Sequence, residues 1–240
     1  MTRLLISGVT SGLGKHLLSK AITSGWDVTT IVRSSEKSVE GCENLIADLS
    51  NSKDLDTLTA SLKDRTFDHV VLNAACAKVG PFHLQTATDI DTVLRTNLHA
   101  PLRMVHALIP NNPRTKFTFM SSLSVHYPGT NYATYSVSKA AITQLYHALQ
   151  IEYPLLPLLC LEFGGMKTGM HEKVGMKVNT TRFRDPKKVA TKVFSAIQKK
   201  TGLRTLHTDW YVVRKIGVIM DGTKTRIRRW HGARSYNWRK

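Results

Sequence analysis

Short apolar runs rich in β-branched residues alternate along the chain with segments whose apolar positions recur at helical spacing. The runs Arg3 to Ser7, Val28 to Val32, Asn44 to Ala47, His69 to Asn73, Lys116 to Ser121 and Leu158 to Glu162 show little polar alternation, as expected of strands buried on both faces. Between the first two, Leu13, Leu17, Leu18, Ala21 and Ile22 make one apolar face of a helix from Gly12 to about Ser24, closed by Gly25. Further helices are predicted over Leu55 to Leu62 and over Ile90 to Leu108, the latter bent at Pro101. Another starts at Tyr135 and cannot pass Pro154, and a last one runs from Pro186 to Lys200. Beyond Gly202, Arg204 to His207 reads as a final strand, with Gly217 to Asp221 as a rival. Trp210, Val213, Ile216, Gly217 and Met220 fall at helical spacing. Strands alternating with helices imply an α/β fold, a mostly parallel sheet of about six to seven strands with helices on both faces. One such domain is expected over residues 1–223, followed by a tail over 224–240.

Composition and charge change this picture at one end. The hydrophobic fraction of 42% suffices for a core, and no apolar stretch reaches the ~18 to 20 residues of a membrane span. The N-terminus shows no leader pattern because Arg3 to Ser7 already reads as a strand, so a cytoplasmic protein is expected. Cys42, Cys76 and Cys160 are odd in number and widely spaced, which fits neither a disulfide framework nor paired metal ligands. Of the net charge of +17, almost all lies in the last third. Residues 1–163 carry 14 Lys and Arg against 13 Asp and Glu, and residues 164–240 carry 20 against 4. Such a field draws anions, whether nucleic acid, anionic lipid or a phosphate-bearing ligand.

The first candidate chemistry follows the first strand. Gly8-Val9-Thr10-Ser11-Gly12-Leu13-Gly14 opens the first helix, where glycines let the backbone approach a pyrophosphate and free N–H groups donate to it. The same glycines also serve tight packing alone. A carboxylate about 20 residues further on suits NAD, and an arginine suits the 2′-phosphate of NADP. Here Arg33 ends the second strand, followed by Ser34 and Ser35, so NADP(H) is favoured over NAD(H) unless Arg33 is a solvated strand end.

The second is Tyr135-Ser136-Val137-Ser138-Lys139, whose Tyr and Lys project from one helix face. A Tyr hydroxyl titrates near ~10. A neighbouring ammonium is expected to stabilise the phenolate, lower that value and bring Tyr135 toward efficient proton transfer.

With these motifs in order, residues from Arg3 to about Thr168 resemble the short-chain dehydrogenase/reductase family. The cofactor turn is Ser7 to Gly14. Asp48-Leu49 matches the pair that meets adenine, and Leu72-Asn73-Ala74-Ala75 matches the segment after the fourth strand. Asn97 falls at the family's helix-borne Asn, and Ser122 stands thirteen residues before Tyr135, the expected spacing. The resemblance implies a single doubly wound Rossmann-type domain and hydride transfer between nicotinamide and a small carbonyl or alcohol substrate. It also implies the catalytic set Asn97, Ser122, Tyr135 and Lys139. Tyr135 exchanges a proton with the substrate oxygen and Ser122 hydrogen-bonds that oxygen. Lys139 holds the nicotinamide ribose, and Asn97 supports a water. The implied cofactor contacts are Gly8, Thr10, Ser11, Gly12, Leu13, Gly14, Arg33, Asp48, Leu49, Asn73, Ala74, Ala75, Tyr135, Lys139, Gly164, Met166 and Thr168. Family members commonly pair through the helices matching Ile90 to Leu108 and Tyr135 to Tyr153, so a homo-oligomer is compatible.

Several positions depart from the family pattern. Ala75 replaces a glycine, Leu72 an asparagine, and Phe163 the proline of a Pro-Gly-x-x-x-Thr segment, while Gly164 and Thr168 keep their places. The substrate-side loop, about 169–185, carries from Gly169 to Arg184 the histidine and cations His171, Lys173, Lys177, Arg182 and Arg184 against Glu172, which suits an anionic substrate, closure over cofactor phosphates, or plain solvation. His126 is a further candidate for the pocket or for a structural role. From Arg226 to Lys240 cations interleave with Trp230, Tyr236 and Trp238 and no acid is present. That composition fits a nucleic-acid binder, a membrane-surface segment, or a tail packed on its own domain or a partner subunit. The alternative to an enzyme is thus the same fold, catalytically weak or inactive, acting as a nucleic-acid-binding or scaffolding module through this basic third.

Overall fold

The computed structural model describes residues 1–168 and 183–206. The substrate-side cations up to Arg182, the segments proposed beyond Leu206, the domain boundary at 223 and the basic tail lie outside the described residues.

Seven strands form one sheet: β1 (Arg3–Ser7), β2 (Asp27–Val32), β3 (Glu43–Ile46), β4 (His69–Leu72), β5 (Lys116–Met120), β6 (Leu158–Glu162) and β7 (Gly202–Thr205). Their order is β3-β2-β1-β4-β5-β6-β7, and every neighbouring pair is parallel. The chain reverses its direction of travel across the sheet between β1 and β4, so the ends of these two strands flank a crevice.

Alternate residues of each strand feed two apolar layers. From β1, Leu5 joins the layer built with α2 (Ser52–Leu62), α4 (Ala100–Leu108) and α5 (Ala133–Glu152). Leu4 and Ile6 join the layer built with α1 (Gly12–Thr23) and α6 (Pro186–Lys199). Five of the six apolar runs are therefore strands covered on both faces, whereas β3, at the sheet edge, leaves Ile46 57% exposed.

Where the structure departs from the periodicity, local chemistry explains it. α2 starts at Ser52 because the Asn51 side chain accepts from the Lys53 and Asp54 N–H groups. The helix read from Ile90 begins at Ala87 as α3 (Ala87–Leu94), where Thr86 and Asp89 cap each other. Its expected bend at Pro101 is a π-helical turn over Arg95–His99, just before α4. Proline has no N–H, so Asn97, four residues back, loses its α-helical donor and the ladder widens upstream of the ring. Three strands also end one residue early, releasing Ala47, Asn73 and Ser121 toward the crevice. β7 starts at Gly202, whose φ of +87° turns the chain out of α6. Among the described residues no helix is long and apolar enough to cross a membrane.

Candidate active site

A cleft of about 540 Å³ opens at the carboxyl ends of the strands. Its wall includes Gly8, Thr10, Ser11, Gly12, Leu13 and Gly14 of the first turn, and Arg33, Asp48 and Leu49 after β2 and β3. Asn73, Ala74 and Ala75 follow β4, and Tyr135, Lys139, Met166 and Thr168 close the far end. Sixteen of the residues that the family resemblance picked out, scattered over the chain, thus share one wall. Asn97, Ser122 and Gly164 are not on this wall.

The first turn cannot be built from other residues. Gly8 has φ +71°, and a Cβ there would stand 2.6 Å from the Ala74 Cα. A Cβ on Gly14 would stand 2.0 Å from the Gly8 carbonyl oxygen. The turn is braced from β4, since Asn73 Nδ2 donates to the Ser7 and Gly8 carbonyls at 3.1 and 2.9 Å, and the Ala74 N–H donates to Ser7 Oγ at 3.0 Å. Ser11 stands at the N-cap of α1 without using its hydroxyl as a cap. Thr168 lies against Gly12, where a Cβ would be 3.0 Å from the threonine Cβ.

At the β2 and β3 end, Arg33 Nε lies 3.5 Å from Asp48 Oδ2, and the Arg33 side chain is 75% exposed. Burial works against the Asp48 carboxylate, yet the Ser50 hydroxyl and N–H, with Arg33 beside them, outweigh it and hold the group below its usual range. A pair this long and exposed contributes little to stability, so Arg33 can change partners at small cost. Lys37 adds a second cation to the wall from a 3₁₀ turn over Ser35–Lys37. Sequence reading stopped at Ser35 and missed it; the signal was a cation four residues past Arg33.

The other end is enclosed around Lys139, with Tyr135 and Ser122 half-buried beside it. Lys139 is 4% exposed, its Nζ donates to the Met120 carbonyl at 2.8 Å, and it stands 5.7 Å from the centre of the Tyr135 ring. Burial pushes the Lys139 ammonium down to about 8. Burial also pushes the Tyr135 hydroxyl up to about 12, against the lowering effect of its hydrogen bond with Ser122. The expected lowering of Tyr135 by Lys139 is therefore corrected: the ammonium is spent on a carbonyl, and desolvation decides the sign. Ser122 begins a 3₁₀ turn over Leu123–Val125, where its Oγ accepts from the Ser124 N–H at 3.1 Å.

Asn97 is 1% exposed in the π turn and its carboxamide is used up. Its Oδ1 accepts from the Cys76 N–H and its Nδ2 donates to the Cys76 carbonyl, both at 2.8 Å, and to Ser138 Oγ at 3.0 Å. Ser138 then donates to the Tyr135 carbonyl at 2.7 Å, so Asn97 ties the exit of β4 to the helix of Tyr135. Ser138 and Cys76 were not singled out for the site, and no spacing rule marks them. Ala75 lies on the wall and Phe163 is a buried wall residue at 4% exposure. His126 faces Glu162, with Nε2 2.9 Å from Oε1.

A glycine turn at the switch point of a doubly wound parallel sheet defines the dinucleotide-binding class of α/β folds. The chain belongs to the short-chain dehydrogenase family, an oxidoreductase family whose model matches residues 2–179. It is 27% identical over 166 residues to the 3-oxoacyl-[acyl-carrier-protein] reductase FabG of Aggregatibacter actinomycetemcomitans, covering 62% of this chain and 69% of that protein. It is equally 27% identical over 167 residues to the human inactive hydroxysteroid dehydrogenase-like protein 1, covering 62% of this chain and 50% of that protein. The chain spans 50 to 69% of the length of the curated relatives it matches. A short-chain dehydrogenase from Sphingobium yanoikuyae, solved in complex with NADPH, shares the fold with a TM-score of 0.82 at 19% identity, over 93% of this chain and 96% of that one.

Proposed function

We propose that the chain is an NADP(H)-dependent reductase of small carbonyl compounds, or in reverse the matching alcohol dehydrogenase, with Tyr135 as the acid and base. The observation that carries this reading is a hydroxyl pair, Tyr135 with Ser122, set one helical turn from Lys139 at the closed end of a cleft that begins in the glycine turn.

The residues fit a dinucleotide. Side chains at Gly8 and Gly14 would fill the space against the turn. Gly8, Thr10, Ser11, Gly12, Leu13 and Gly14 would hold the pyrophosphate, and Asp48 and Leu49 the adenine. Asn73, Ala74 and Ala75 would border the ribose, and Gly164, Met166 and Thr168 the carboxamide. Arg33 and Lys37 are the cations for a 2′-phosphate, which a carboxylate at the end of β2 would repel. The nicotinamide supplies or accepts the hydride.

The protein's own part is proton transfer. With its hydroxyl raised to about 12, Tyr135 is a neutral phenol at physiological pH. It donates its proton to the carbonyl oxygen as negative charge develops there, and Ser122 hydrogen-bonds the same oxygen. The resulting phenolate is stabilised by the Ser122 hydroxyl and the Lys139 ammonium. In the oxidative direction the phenolate takes the proton back. Asn97 acts at a distance by fixing α5 against the exit of β4.

The test is NADPH oxidation across a panel of aldehydes and ketones, with NADH in parallel. Carbonyl-dependent oxidation that prefers NADPH supports the reading, and no turnover with either coenzyme refutes it.

A further inference from the structure

Glu162, the last residue of β6, is a carboxylate with no exposed surface. Its Oε1 lies 2.9 Å from His126 Nε2, and its Oε2 accepts from Thr205 Oγ1 at 3.1 Å. The backbone on either side of it receives the exit of β5: the Ser121 N–H donates to the Leu161 carbonyl and the Leu123 N–H to the Phe163 carbonyl, both at 2.8 Å. His126 ends the turn that Ser122 begins, with its N–H donating to the Leu123 carbonyl at 3.1 Å. The turn is thus tied to the end of β6 by backbone bonds at its start and by a side-chain pair at its finish.

Burying a carboxylate is costly, and apolar residues of the same volume often stabilise a fold as well or better. What a directional pair adds is position. Position is wanted here because Phe163, one residue on, stands where the family resemblance has a proline. A proline ring fixes φ, whereas a phenylalanine leaves the exit of β6 without that constraint.

We propose that His126 and Glu162 form a positioning clamp for Ser122, holding its turn on the end of β6 in place of the absent proline and so fixing its hydroxyl against Tyr135. The inference rests on the reductase reading. Neither residue is catalytic; both act through Ser122. Without the clamp the far end of the turn is released, and the hydrogen bond that restrains the Tyr135 hydroxyl weakens. Among the described residues, the other titratable groups beside the Tyr135 ring are Tyr132, at the start of α5, and Lys139 on that helix, while Glu162 meets His126. These stay in place in the variants below.

The experiment compares the full chain with His126→Phe, which keeps a ring and removes Nε2, and with His126→Gln, whose amide reaches the same carboxylate. His126→Asn, too short to reach it, repeats the loss by a second route. Steady-state rates across pH and amide hydrogen exchange without substrate are both read. In His126→Phe, kcat falls about tenfold while KM for NADPH stays within about twofold. The limb of the pH–rate profile belonging to Tyr135 moves to higher pH, and exchange at the Leu123 and Ser124 amides accelerates. His126→Gln restores all of these. An unchanged kcat in both loss variants, a Gln variant as poor as Phe, or a KM for NADPH that rises in step with the fall in kcat would overturn the clamp. If the unaltered chain oxidises no NADPH, the reductase reading falls instead, and the exchange rates alone decide whether the pair holds the turn.

Discussion

The two ends of the cleft are built on opposite terms. At the end of β2 and β3, the Arg33 side chain is 75% exposed and its ion pair with Asp48 is long, so its charge is solvated and free to change partners. At the exit of β4 and β5, Lys139 and Asn97 are 4% and 1% exposed, and Asn97 has its carboxamide bonds committed to Cys76 and Ser138. On the proposed reading, coenzyme choice rests on charges that cost the fold little, whereas proton transfer rests on groups the fold holds at a cost. Substitutions at the first end should change selectivity and leave stability alone. Those at the second should change rate and stability together.

The largest effect is expected at the enclosed end. Tyr135→Phe removes the proton carried by the site, and kcat should fall by about 100- to 10,000-fold, the range that positioned acids supply. NADPH binding, read by nucleotide fluorescence, should stay within about twofold because the ring remains. Next comes the cost of the buried ammonium. Lys139 has its pKa lowered from 10.5 to about 8. The unfolded chain therefore binds more protons between pH 8 and 10.5, and the native state is penalised by up to about 3 kcal/mol below pH 8. Lys139→Met should abolish turnover yet be more stable than the parent at pH 7, less whatever the bond to the Met120 carbonyl contributes. Denaturant titrations should show that advantage shrinking as pH rises from 8 toward 10.5. A Met variant less stable at pH 7 than at pH 10, relative to the parent, would break the comparison.

The smaller effect belongs to the exposed end. Arg33→Ala should raise KM for NADPH by about 10- to 100-fold, the value of hydrogen bonds to a charged group, and leave KM for NADH within about twofold. Its melting temperature should match the parent's, since the guanidinium is solvated. A change in stability as large as that at Lys139 would erase the difference between the two ends.

The parts of this account that depend on spacing were legible in the sequence. The six apolar runs gave strands to within a residue or two, and the glycines from Gly8 to Gly14 landed on the cleft because steric permission at a turn is local. What depends on carbonyl partners or on burial was not. Pro101 was read as the site of a bend, but its missing N–H acts four residues upstream, at Asn97, so the distortion falls at a residue proposed for the site. Tyr135 was read as lowered by Lys139 from their separation alone. The sign changed because separation says nothing of the Met120 carbonyl that takes the ammonium, or of the packing that desolvates the phenol. His126 carried no signal that pointed to Glu162, since the two meet only through the pairing of β5 with β6.

The most direct test of the central claim measures NADPH binding and carbonyl-dependent NADPH oxidation side by side for the unaltered chain and Tyr135→Phe. The account predicts that both bind NADPH with similar affinity and that only the unaltered chain consumes it. Equal rates in the two proteins, or no binding of NADPH by the unaltered chain, would contradict it.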